Sequence, residues 1–195
     1  MPRTEQGPIK IKLTGVGPYL MHNVRLANPI DKYSKLMKQV SGKRDKTDED
    51  HAELSRLEFF GGLYYSDASG VHIPSRQLEA CIMVAAKTRK QGKLAARGLV
   101  ILNDEIPLLY DGPRTPEELF DNEAFVDIRS VRVQNARVMR TRPIFREWSA
   151  VAELLVDEKV MNRSTVSELL EIAGSIIGIG EMRPRYGRFD AQVMA

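Results

Sequence analysis

Apolar and polar positions alternate strictly in residues 9–16, IKIKLTGV, which is the pattern of a strand with one buried face. Gly17 and Pro18 break it. Residues 28–50 carry both charge signs and little that needs burial, apart from a weak helical patch. Within 24–60 this predicts an inserted polar lobe or a mobile loop. HAELSRLEFFGG (51–62) predicts a short helix ended by Gly61 and Gly62. LYYS and VHIP, joined by a turn over Asp67–Gly70, predict a hairpin.

A second helix is expected after Pro74, capped by Ser75, with Leu78, Cys81, Ile82, Ala85 and Arg89 at helical spacing. GLVIL (98–102) reads as a short strand. Pro113 and Pro116 flank a loop before a short helix near Glu117–Asp121. Residues 125–145 hold one or two extended segments, with Val131 and Val133 on one face and Arg132 on the other. In WSAVAELLV (148–156), Trp148, Ala150, Ala152, Leu154 and Val156 share a face. The last helix shows a T-x-x-E capping box at Thr165 and Glu168. Its apolar stripe is Val166, Leu169, Leu170, Ala173, Ile176 and Ile177, and Gly178 or Gly180 ends it in a left-handed conformation. RFDAQVM closes the chain as a strand. This order places two βαβ-like halves on one antiparallel sheet. It predicts an α+β protein of ferredoxin-like (RRM-like) arrangement, with helices on one sheet face and the polar lobe inserted.

Composition narrows the function. The 195 residues are 43% hydrophobic and 28% charged, which suits one domain over 1–195 with a real core. The longest uncharged apolar run, Cys81 to Ala86, is too short to cross a bilayer, and no signal peptide follows Met1. The lone Cys81 offers neither a disulfide nor a thiolate cluster. Together these features point to the cytoplasm and away from a membrane.

Net charge is only +3, but the 29 cationic side chains are unevenly placed. Arg129, Arg132, Arg137, Arg140, Arg142 and Arg146 lie in one stretch without an acid. Arg183, Arg185 and Arg188 follow in GIGEMRPRYGRF (178–189). Guanidinium forks match phosphate geometry and stack on bases, so a polyanion is the expected partner. In the segment 132–146, Arg132 shares a parity with Arg140, Arg142 and Arg146, which would line one groove on a regular strand. Backbone N–H groups at Gly178 and Gly180 can approach an anion closely. Tyr186 can stack on a base. Lys10 and Lys12 occupy the polar face of the first strand.

Three blocks resemble a known family. HIPSRQLEACIMVAA (72–86) resembles the helix start of the RAMP superfamily, the ferredoxin-like, RRM-related backbone subunits of CRISPR effector complexes. LTGVGPYLMHN (13–23) is similar to that family's first strand and turn. LLEIAGSIIGIGEMRPRYGRFDAQV (169–193) looks like its C-terminal helix, glycine-rich loop and strand. Ser75 stands where the family has glycine, and Pro184 stiffens the loop. The resemblance implies binding to single-stranded nucleic acid, RNA or DNA. It also implies head-to-tail homo-oligomers along the strand, in company with other effector subunits or in a stand-alone relative.

The expected interface is therefore Lys10, Lys12, Arg132, Arg137, Arg140, Arg142, Arg146, Gly178, Gly180, Arg183, Arg185, Tyr186 and Arg188. Two alternatives stay open. One is a metal-dependent ribonuclease using Asp31, because some family members cut RNA with an aspartate in a comparable loop. His22 beside the first turn has the chemistry of a general base. The other alternative is an assembly protein that binds no nucleic acid. His22, His51 and His72 lack ligand spacing, and no Lys-Ser/Thr follows GIG as a P-loop requires. No cofactor or resident metal is expected.

Overall fold

The computed structural model describes residues 7–134 and 136–194. In chain order its elements are β1 (Ile9–Gly15), β2 (Tyr19–Leu20), α1 (Lys32–Ser41), α2 (Asp48–Gly62), β3 (Tyr65–Ser66) and β4 (Gly70–Pro74). Then come α3 (Ser75–Thr88), α4 (Gly92–Gly98), β5 (Leu99–Ile101), β6 (Glu105–Leu109), α5 (Pro116–Phe120), β7 (Val126–Val133) and β8 (Ala136–Phe145). The chain ends with β9 (Ser149–Val156), α6 (Arg163–Ile172) and β10 (Phe189–Val193). The protein is α+β. No helix among the described residues is long and apolar enough to cross a membrane.

The main sheet runs β10-β1-β9-β6-β4-β3, with β5 also pairing β9. Every pair in it is antiparallel. The period of two in β1 sends Ile9, Ile11 and Leu13 inward and leaves Lys10, Lys12 and Thr14 exposed. Across the ladder, Leu13 meets Ala150 and Ile11 meets Ala152. These join Leu78, Cys81, Ile82 and Ala85 of α3 and Val166, Leu169 and Leu170 of α6 in one buried cluster. Each large side chain taken out of water there contributes roughly 1.5–3 kcal/mol.

Several expected boundaries shift for physical reasons. Ser75 does not cap α3: the helix begins at Ser75 itself with Pro74 in the cap position and no side-chain cap bond. The Ser75 N–H instead donates to Asp104 O at 3.0 Å. Arg89 leaves the apolar stripe and pairs with Glu168 at 2.7 Å. That contact uses the carboxylate expected in a capping box. The cap of α6 is Asn162, whose side chain accepts from the Thr165 N–H at 2.8 Å. After α6 the chain widens into a π turn, Ala173–Ile177. The extra residue per turn breaks the i+3/i+4 progression, so Ala173 is buried but Ile176 is 61% exposed. Strand β6 and helix α4 were not legible beforehand.

The polar segment 24–60 holds α1 and most of α2. Tyr33, Leu36, Met37 and Val40 are half-buried on one face of α1, at helical spacing hidden among lysines. Helix α2 starts at Asp48, three residues before the expected start, because Thr47 and Asp50 form a reciprocal capping box. Its far end docks firmly: Leu57 and Phe59 are buried, and Phe59 meets Phe120 edge-on at 5.2 Å.

A second sheet, β2-β8-β7, carries the arginines. Strands β7 and β8 form a long antiparallel hairpin. The hairpin changes the predicted parity. Arg129 lies opposite Arg140, Asp127 opposite Arg142, and Arg132 opposite Arg137. By alternation, Asp127, Arg129, Arg140 and Arg142 share one face, and Arg132 and Arg137 lie on the other. Arg132 therefore does not line one groove with Arg140 and Arg142.

Candidate nucleic-acid interface

The inner face of the hairpin holds a charge network made by pairing distant segments. Arg129 grips Asp127 through two bonds, one of them Nε to Oδ2 at 2.5 Å. Arg140 pairs with Glu58 of α2. The other Glu58 oxygen accepts from the Thr141 N–H at 2.8 Å. Helix α2 thus satisfies a backbone donor of β8 beyond Ile144 and Phe145, the two residues that β2 pairs. Ser55 and Thr141 hydroxyls reinforce the same seam at 2.7 Å.

The C-terminal loop meets this face. Arg129 Nη1 donates to the Tyr186 hydroxyl at 2.7 Å, and its guanidinium lies 4.8 Å from the Tyr186 ring centre. This contact is both a hydrogen bond and a cation–π pair. Arg142 Nη2 approaches Glu181 Oε1 at 3.4 Å. The carboxylate and tyrosine partners hold Arg129's pKa above the ordinary arginine value. Tyr186 is therefore engaged by Arg129, and Arg185 stands 5.9 Å from the same ring. A base stacking on Tyr186 would have to share or displace these cations.

The loop glycines act in packing. The Gly178 N–H donates to Ala173 O at 2.8 Å and the Ile179 N–H to Gly187 O at 2.9 Å. The Glu181 N–H donates to Leu20 O at 2.9 Å, and the Gly187 N–H to Pro18 O at 2.7 Å. The Gly178 N–H, one of the two donors expected to meet a phosphate, is thus spent on a protein carbonyl. At Gly180, a Cβ would fall 2.6 Å from Leu20 O, so the residue is there to let the loop approach β2. The cations Arg183, Arg185 and Arg188 remain exposed. Arg188 Nε donates to Pro184 O at 3.0 Å.

The remaining expected residues are dispersed. Arg132 and Arg137 line a cavity of about 330 Å³ near the hairpin end, with Ser130 and Val131. Arg146 lies just past β8 and donates to Ala124 O, away from the Arg142 pair. Lys10 and Lys12 sit on the exposed face of the main sheet, where Lys10 pairs with Glu153 at 3.5 Å. They belong to a different sheet from the arginines.

Asp31 caps α1, accepting from the Tyr33 N–H at 2.9 Å. Its carboxylate thus has a local structural partner. Among the described residues, no group of three His, Cys, Asp or Glu side chains could hold a metal ion. His22 lies near the charge network. Desolvation lowers its pKa; Glu181 pulls the other way, and Arg142 and Arg140 add to the lowering.

No family model matches the chain, and no curated protein matches it. The residues alone carry the functional reading.

Two features escaped sequence reading. Glu58 and Glu181 were invisible as partners of Arg140 and Arg142, because only the fold brings residues so far apart in sequence together. The second is a basic surface on the helical side. Met83, Lys87, Lys90, Gly92, Lys93 and Ala96 line an open groove of about 580 Å³. Its signal was present: Lys87, Arg89, Lys90, Lys93 and Arg97 run without an acid.

Proposed function

We propose that this protein binds single-stranded nucleic acid, RNA or DNA, as a non-enzymatic RAMP-like subunit. The observation that carries the reading is the junction of two arginine-bearing segments. The β7–β8 hairpin and the 178–188 loop are tied together by Arg129 and Tyr186, which leaves Arg132, Arg137, Arg183, Arg185 and Arg188 projecting around one structural unit. Such a display of guanidinium groups suits a phosphodiester chain.

The topology supports the family reading. On this reading the ferredoxin-like core is β10-β1-β9-β5, with α3 between β1 and β5 and α6 between β9 and β10, and β6, β4 and β3 extend the sheet from β9. On this reading β2, β7, β8 and the 24–60 lobe are additions that build the ligand surface. Head-to-tail assembly along the strand belongs to the same proposal.

Binding of labelled poly-U and poly-dT across a salt series tests the proposal. Affinity should fall steeply with salt, as released counterions require. Replacing Arg183 and Arg185 together by alanine should weaken binding to both polymers and flatten the salt slope by about 0.7 per lost phosphate contact. Absence of binding at low salt, or binding indifferent to salt, would leave the assembly-protein reading standing.

A further inference from the structure

Arg142 is a buried cation whose partners do not satisfy it. Its side chain is 9% exposed. Its Nε and Nη1 atoms are buried and have no hydrogen-bond partner. Nη2 has only the 3.4 Å approach to Glu181, long for a charge-assisted bond. Buried donors are normally satisfied, and an unsatisfied pair on a guanidinium marks a place prepared for an acceptor.

The nearby carboxylates are committed elsewhere. Asp127 lies directly across the ladder from Arg142, yet both its oxygens bond Arg129. Glu58 divides its oxygens between Arg140 and the Thr141 N–H. Among the carboxylates of this network, Glu181 is the one paired with Arg142, and it occupies Nη2, the nitrogen common to both two-pronged edges of the guanidinium. Moving Glu181 aside frees either edge, Nε with Nη2 or Nη1 with Nη2, for two parallel bonds to one oxyanion.

Glu181 is anchored at its backbone and open to solvent at its side chain. Its N–H is tied to Leu20 O at 2.9 Å, whereas its side chain is 36% exposed. The carboxylate can therefore reach solvent without breaking that backbone bond.

We propose that Arg142 is an oxyanion socket for a phosphate group, and that Glu181 is a displaceable carboxylate latch occupying it in the empty protein. The phosphate is one phosphodiester of the bound strand, and this source rests on the function proposed above. The socket chemistry itself rests on Arg142 and Glu181.

The test is the isosteric variant Glu181→Gln, measured beside wild type and the double variant Glu181→Gln/Arg142→Lys. Two ligands are used, labelled poly-U and inorganic phosphate. Poly-U binding is followed by anisotropy. Phosphate binding is followed as the rise in Tm over each variant's own phosphate-free value, so that a change in baseline stability does not obscure the result.

Removing the competing charge should tighten binding about fivefold or more, and the double variant should lose that gain. A gain with poly-U identifies a phosphodiester as the occupant. A gain with inorganic phosphate alone keeps the socket and assigns it to a free phosphate, against the nucleic-acid source. If wild type binds no poly-U, the proposed function fails, and the phosphate series still decides the latch. Glu181→Gln that binds both ligands no better than wild type overturns the latch, as does a gain that survives Arg142→Lys.

Discussion

Replacing Gly187 by alanine should strike the loop that carries Tyr186. Gly187 has φ +72°, in the left-handed region. A Cβ added there would lie 1.7 Å from Ile179 O and 2.7 Å from its carbonyl carbon. Neither atom belongs to a flexible side chain, so the two arms of the loop must separate. The left-handed conformation costs a non-glycine residue about 1–2 kcal/mol. Separation weakens two bonds, Ile179 N–H to Gly187 O and Gly187 N–H to Pro18 O. At about 1 kcal/mol each, these bring the loss to about 3–4 kcal/mol. For a domain of this size that amounts to roughly 10 °C in Tm. Gly70→Ala is the control: φ is +63°, but open space surrounds the added Cβ, so only the conformational cost applies. Thermal melts followed by circular dichroism, with urea titrations alongside, compare the two. If both variants melt together, contact between the loop arms does not hold this structure and the reasoning is wrong.

Other expectations follow from the same geometry. Arg132→Ala and Arg137→Ala lie on the outer hairpin face, so they should shift stability by no more than about 0.5 kcal/mol while weakening nucleic-acid binding. Arg129→Ala should instead cost about 3 kcal/mol in urea unfolding, because it leaves the buried Asp127 carboxylate uncompensated. His22 has a lowered pKa, so the unfolded chain binds more protons below pH 6.5. Stability should therefore fall as pH drops through and below 6.5, and His22→Gln should reduce that slope in pH-dependent melts. Burial pushes the Cys81 thiol up to about 12, and its Sγ donates to Ala173 O at 3.2 Å. Native protein should resist a thiol reagent and react at the rate set by unfolding. Replacing Lys90 and Lys93 by alanine tests the helical groove. Unchanged affinity for poly-U would confine the interface to the hairpin and loop.

Local pattern determined the elements whose signal is local. The alternation of Ile9, Ile11 and Leu13 specified the buried face of β1, and Leu78, Cys81, Ile82 and Ala85 specified that of α3. Burial imposes a period on each segment independently of its partner. Helix α1 is harder to read because its half-buried stripe is interleaved with lysines and rests mainly on α2 and the 24–27 turn rather than on a sheet. The stripe fails at Ile176 because the π turn Ala173–Ile177 shifts the helical phase.

The candidate site divides along the same line. Arginine abundance, and hence the expectation of an anionic partner, is legible from composition. Which arginines act together was not. Counting parity along 132–146 placed Arg132 with Arg140, but the turn after Val133 reverses the chain and assigns faces by pairing across the ladder. The glycines of GIGEMRPRYGRF suggest exposed donors, yet the Gly178 N–H goes to Ala173 O and the Gly187 N–H to Pro18 O. Glu58 and Glu181 reach the arginines only through tertiary contact. Amphipathic periods and charge content are properties of neighbouring residues. Strand pairing, carboxylate partnership and the unsatisfied donors of Arg142 depend on segments that meet only when the whole core closes.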